Sequence, residues 1–116
     1  MSDTQAVDVE KINEALSYIN HAIGAAKALM KAQTDPNLMY ELTILGAHLI
    51  DVQGALTRAV NAANNAAFQN AIAQLNQTAD TLKNQAGQIK QAAQIIGQVG
   101  QVIGWITQAL AIIAVL

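Results

Sequence analysis

Two histidines and a few carboxylates are the residues in this chain best suited to chemistry. His21 and His48 each lie seven residues after a glutamate, Glu14 and Glu41, and His48 is followed at helical spacing by Asp51. Histidines paired with glutamates build the di-metal sites of helical bundles, but those sites use Glu-x-x-His pairs that project both ligands from one helix face. Neither histidine here has a Glu three residues before it. His48 with Asp51 supplies two ligands, which is too few to select and hold an ion. The spacing therefore predicts solvated or hydrogen-bonded histidines, with no metal and no cofactor. The serines are Ser2, near the start, and Ser17, on a helix side, and neither has a plausible triad. The chain has no Cys, so thiolate nucleophiles, disulfides and Cys-based zinc sites are all excluded. The expectation is a protein that is not an enzyme and works through helix surfaces.

The elements that carry these residues are helices. Hydrophobic residues make up 53% of the 116, yet one Phe, one Trp and two Tyr are the whole aromatic content, and there is one Pro. An apolar fraction of Ala, Ile, Leu and Val with abundant Gln favours an all-α fold. The first apolar series, Val9, Ile12, Leu16, Ile19, Ile23, Ala26 and Met30, steps alternately by three and four, which is a heptad seam. It predicts a helix from a capping-box pattern at Ser2 to Gln5 to about Ala32. In Gln33 to Asn37, Asp35 suits the N-cap and Pro36 the first helical position. A second seam follows at Leu38, Leu42, Leu45, Leu49, Val52, Leu56, Ala59 and Ala63. So short a connection makes the two helices an antiparallel hairpin. Gly46 and Gly54 mark either a close helix approach or a tolerated cost of about 1 kcal/mol each.

The apolar register then slips. The next series, beginning Phe68, Ile72, Leu75, Ala79 and Leu82, is out of phase with the second seam, and Asn61 to Asn65 compete for backbone hydrogen bonds. A turn or kink is expected there, dividing the chain into a hairpin, 1–64, and a C-terminal helical region, 65–116. From about Ala66 onward no proline interrupts. A polar stripe of Asn76, Asp80, Lys83, Lys90, Gln94, Gln98, Gln101 and Gln108 keeps helical phase into the tail. That continuity predicts one long amphipathic helix, with Gly97, Gly100 and Gly104 as the places where it could hinge into a short fourth.

No ionisable side chain occurs from Gln91 to Leu116. As a helix, residues 95–116 span about 33 Å, against about 30 Å of bilayer hydrocarbon. Gln98, Gln101, Thr107, Gln108 and three glycines oppose insertion of a lone helix facing lipid. A helix that turns its glutamines toward sister helices or a lumen avoids that penalty. Gly100 and Gly104 form a GxxxG, which allows close helix packing in lipid. The expected membrane or oligomer interface is therefore Ile96, Gly97, Gly100, Ile103, Gly104, Trp105, Ile106, Leu110 and Ile113, with Gln94, Gln98, Gln101 and Gln108 as a lumen-facing or inter-subunit stripe. Trp105 lies within the glutamine stripe, unlike an interfacial belt residue. The opposite reading is that the tail is the sequestered helix of a soluble bundle.

Net charge is −2, Arg58 is the only arginine and the basic residues are scattered, so nucleic acid is not an expected partner. The polar, acidic segment Met1 to Glu10 lacks the pattern of a cleaved signal peptide. Membrane association or export without such a signal is expected, with a cytoplasmic location as the alternative. Expected partners are copies of the same chain, membrane lipid and helical proteins.

Residues 28–62 carry a Pro-containing turn between two helices, followed by apolar residues and a Glu, in Asp35-Pro36-Asn37-Leu38, Glu41 and Leu42. This resembles the helical hairpin of type III secretion needle and inner-rod subunits, and the resemblance implies a self-assembling, non-catalytic role. Those subunits end soon after the second helix, whereas this chain continues. Its tail looks like the membrane-inserting helices of translocators or α-helical pore-forming proteins. The function expected from these features is a helical assembly protein that self-associates and docks on or enters a membrane through its C-terminal helix. The alternative is a structural or adaptor bundle with the tail buried.

Overall fold

A computed structural model describes residues 3–32, 35–93 and 98–116, with side chains for 9–32, 35–89 and 99–116. The described residues form four α-helices: α1 (Asp3–Ala32), α2 (Pro36–Val60), α3 (Asn65–Ala93) and α4 (Gln98–Ile113). The fold is all-α.

Local chemistry sets the helix boundaries. The Asp35 side chain accepts a hydrogen bond from the Asn37 backbone N–H at 2.9 Å, and Pro36 occupies the first turn. That cap satisfies a donor the helix itself leaves unpaired. At the other end of α2, the Asn61 N–H donates to the Thr57 carbonyl and the chain turns. The Asn64 side chain then accepts from the Ala67 N–H at 2.8 Å and caps α3. The asparagine-rich break expected at 61–65 is thus a turn, made by the side chains that disfavour helix interiors.

α1 and α2 are antiparallel. Asn20 pairs with Gln53 at 2.6 Å and Met30 with Thr43 at 3.8 Å, so later residues of α1 meet earlier residues of α2. α2 packs along α3, α1 packs along α4, and α3 and α4 touch more sparingly, closing a four-helix ring of 49 × 21 × 19 Å. Because α4 lies beside both α1 and α3, the C-terminal region is not one continuous rod. It folds back, and the short fourth helix named as a possibility is present. The segment 94–97 between α3 and α4, with the candidate hinge Gly97, lies outside the described residues, and Gly100 and Gly104 lie within α4.

One core runs through the bundle, drawn from all four helices. Of the expected α2 seam, Leu42, Leu45, Leu49, Val52, Leu56 and Ala59 are buried, Leu38 is half-buried, and Ala63 is exposed beyond the helix end. On α1 the seam is wider than expected. Ile12 and Ile19 are fully buried, but Val9, Leu16 and Ile23 are only half-buried. Ala15, Ala22, Ala26 and Leu29 complete the buried line. A helix with two neighbours buries a broader stripe than one that zips to a single partner.

The two α2 glycines do not mark close approach within the chain. A Cβ added at Gly46 meets no atom within 4 Å, and one at Gly54 meets only the Arg58 guanidinium, at 3.5 Å.

Candidate functional site

Among the described residues, no three His, Asp or Glu side chains gather where they could hold a metal ion. His48 is half-buried on α2 with Asp51 exposed one turn on, while His21 is exposed on α1. His21 has other partners. Its Nδ1 lies 2.6 Å from the Ser17 carbonyl oxygen, to which an Nδ1–H donates. Its ring sits 4.9 Å from that of Trp105, tilted by 30°. Tyr18 stacks on the same indole at 5.7 Å and 29°. These separations lie in the range where aromatic pairs attract beyond simple burial. Tyr18 and His21, three apart on α1, form a seat for Trp105, and this fixes α4 against α1.

Sequence reasoning missed that seat. Trp105 looked out of place inside a glutamine stripe, and its position there is the available signal: a large ring among polar residues needs a partner helix on that side. Also missed was a polar link between α2 and α3. Gln85, 8% exposed, donates from Nε2 to Glu41 Oε2 at 2.8 Å. In a helix with so many glutamines, nothing in the sequence singles out Gln85. Among the described residues, no buried side-chain nitrogen or oxygen lacks a hydrogen-bond partner.

The tail residues fall on different sides of α4. Ile106 and Ile113 are buried, with Val99, Val102 and Ala109, which the sequence reading did not select. Gly100, Ile103, Trp105 and Leu110 are half-buried, and Gly104 is exposed, with open space where a Cβ would stand. Gln101 and Gln108 are exposed. Gln94, Ile96 and Gly97 lie outside the described residues, as does the Gln98 side chain. Among the described residues, no helix is long and apolar enough to cross a membrane.

Between α3 and α4 runs a groove of about 710 Å³. Its α4 wall holds Ile103, Ile106 and Leu110, and its α3 wall holds Ala79, Ala86 and Gly87, with Asp80 and Lys83 beside them. The opening has a simple origin, since α3 offers only small apolar side chains where it faces α4. The arrangement as a whole can hold helices in register and present their outer faces. Comparison with protein-family models, with curated proteins and with solved structures returns no match to this chain.

Proposed function

We propose that this chain is a non-catalytic helical-bundle subunit, structural or adaptor in role, whose uncharged C-terminal segment serves as the fourth helix of its own bundle. The observation that carries the reading is the burial of Val99, Val102, Ile106, Ala109 and Ile113, each 7% exposed or less without any second molecule. The sequence posed a choice between a tail that needs lipid and a tail satisfied by its own subunit, and this burial favours the second. Its 16 helical residues reach about 24 Å, short of about 30 Å of hydrocarbon.

Partners on this reading are other helical proteins or further copies of the chain, met through exposed helix faces. Membrane docking through the tail is the competing outcome. Flotation of the purified full-length protein with liposomes of mixed neutral and anionic lipid separates the two, together with deletion of residues 98–116. The expected result is protein left in the unbound fraction and a truncated chain that loses its cooperative melt. Flotation of the intact chain, with a truncated chain that still melts as before, would overturn the proposal.

A further inference from the structure

Among the described residues, His21 is the one side chain touching α4 whose charge changes near neutral pH. α4 itself carries no ionisable group. It packs on α1 and α3 but not on α2, where His48 stands, and histidine is the side chain that ordinarily titrates between about pH 5 and 8. Both contacts of the His21 ring are with electron-rich groups. Its Nδ1 lies 2.6 Å from the Ser17 carbonyl oxygen, and its ring centre lies 4.9 Å from that of the Trp105 indole, with the two planes 30° apart. A neutral imidazole has one N–H, and with that proton on Nε2 the Nδ1 lone pair would face the carbonyl lone pair. The imidazolium carries both protons, so the bond to Ser17 is always made and is charge-assisted. A cation within about 6 Å of an indole centre is also drawn to the ring, which holds cations best among the aromatic side chains.

We infer that His21 is a proton-operated clasp on the last helix: the imidazolium holds Trp105, and through it α4, against α1, and loss of the proton slackens the hold. The charged ring meets the indole only while α4 is seated, so protonation and seating favour each other. The extra hold is therefore fully present at about pH 5.5 and is lost as pH rises to about 8. Acid keeps Val99, Val102, Ile106, Ala109 and Ile113 covered, the reverse of a tail that acidification sends into a membrane. The inference rests on the bundle reading in one respect, since it requires α4 to be seated on α1.

The charges around the clasp do not reverse its sign. On α1, Glu14 lies two turns before His21 on the same side, about 10 Å away along the axis, and favours the same charged form. Lys27, six residues on, lies a third of a turn round the helix. Tyr18, stacked on the same indole at 5.7 Å, contributes no charge between about pH 5 and 8. α2 meets α1 at this level through Gln53, which is bonded to Asn20. Its Asp51 is two residues from Gln53, more than half a turn, and so stands on the side turned away from α1. α3, with Asp80 and Lys83, does not touch α1.

Trp105 is the only tryptophan, so its emission reports the seat in the full chain. Urea unfolding at about pH 5.5 and about pH 8, followed by that emission and by circular dichroism, is the test. The intact chain is expected to gain a factor of about two to five in its folding constant over His21→Gln on going from the higher pH to the lower, and His48→Gln should leave that gain in place. In a Trp105→Leu background the gain due to His21 should vanish, which separates the indole from Glu14. His21→Arg, a planar cation at either pH, should hold α4 equally at both. The clasp is overturned if the intact chain and His21→Gln respond alike to pH, if acid loosens the intact chain relative to His21→Gln, or if the gain survives in Trp105→Leu. Trp105 emission equal to that of the urea-unfolded chain at both pH values would overturn the bundle reading and the clasp with it, whereas shielded emission with no pH response overturns the clasp alone. If His21→Gln or Trp105→Leu loses its melt, the intact chain and His21→Arg decide: the two should match at pH 5.5 and part at pH 8, and equal stability at both overturns the inference.

Discussion

α3 packs closely along α2 and loosely along α4, and the contrast shows how side-chain size, rather than hydrophobicity, determines where a small bundle closes. Toward α2 the bundle fills its interior with leucines that have no exposed surface, Leu45, Leu49 and Leu56 on α2 and Leu75 and Leu82 on α3, and adds the buried Gln85–Glu41 hydrogen bond. Toward α4, Ala79, Ala86 and Gly87 leave the groove open. Ala79 and Ala86 follow the helical periodicity of α3 as well as Leu75 and Leu82 do. Only the first set has the volume to close the gap between two axes about 8–10 Å apart.

The comparison can be broken most severely at the core. Ile19→Asp places a carboxylate in a fully buried position with no cation to pair with on the seam, and the cooperative melt should disappear or fall by several kcal/mol. An unchanged melt would remove α1 from the core. Next in size, Leu75→Ala is expected to cost about 2–5 kcal/mol by denaturant unfolding, through lost transfer energy and the cavity left behind.

A matched pair of enlargements sharpens the contrast further. Ala55→Leu, at a position with no exposed surface on α2, overpacks a filled interior and should cost about 1–3 kcal/mol. Ala86→Leu, on the groove wall, should stay within about 1 kcal/mol of the parent. Equal costs would mean that the groove closes in solution. The smallest effect belongs to Gly87→Ala. A Cβ there meets nothing within 4 Å, so the better helix former should add about 0.5–1 kcal/mol and raise the melting midpoint by a few degrees.

Much of the fold was legible because some residues report their own surroundings. Asp35 and Pro36 announce the start of α2, and the asparagines around Asn64 announce the turn before α3, through hydrogen bonds made within a few residues. The leucine seam of α2 was readable because it is purely periodic. The tail was harder. Its polar stripe keeps phase across 94–97, so local periodicity favours a continuous rod, whereas the packing of α4 against α1 rests on tertiary contacts, the burial of Val99, Val102, Ile106, Ala109 and Ile113 and the ring contacts of Trp105 with Tyr18 and His21. Burial of Val102 and Ala109 rather than Ile103 and Gly104 was not readable either, since a helix apolar on most sides does not show which side meets its neighbours.

The absence of ionisable side chains throughout α4 has a consequence for how the bundle responds to its surroundings. With no ion pair to screen, the seating of the last helix should be nearly indifferent to added sodium chloride. Its cohesion comes from aliphatic burial and the Trp105 ring contacts, and the apolar part of that cohesion weakens as water is cooled. Chilling should therefore loosen the seating of this helix, where added salt leaves it unchanged.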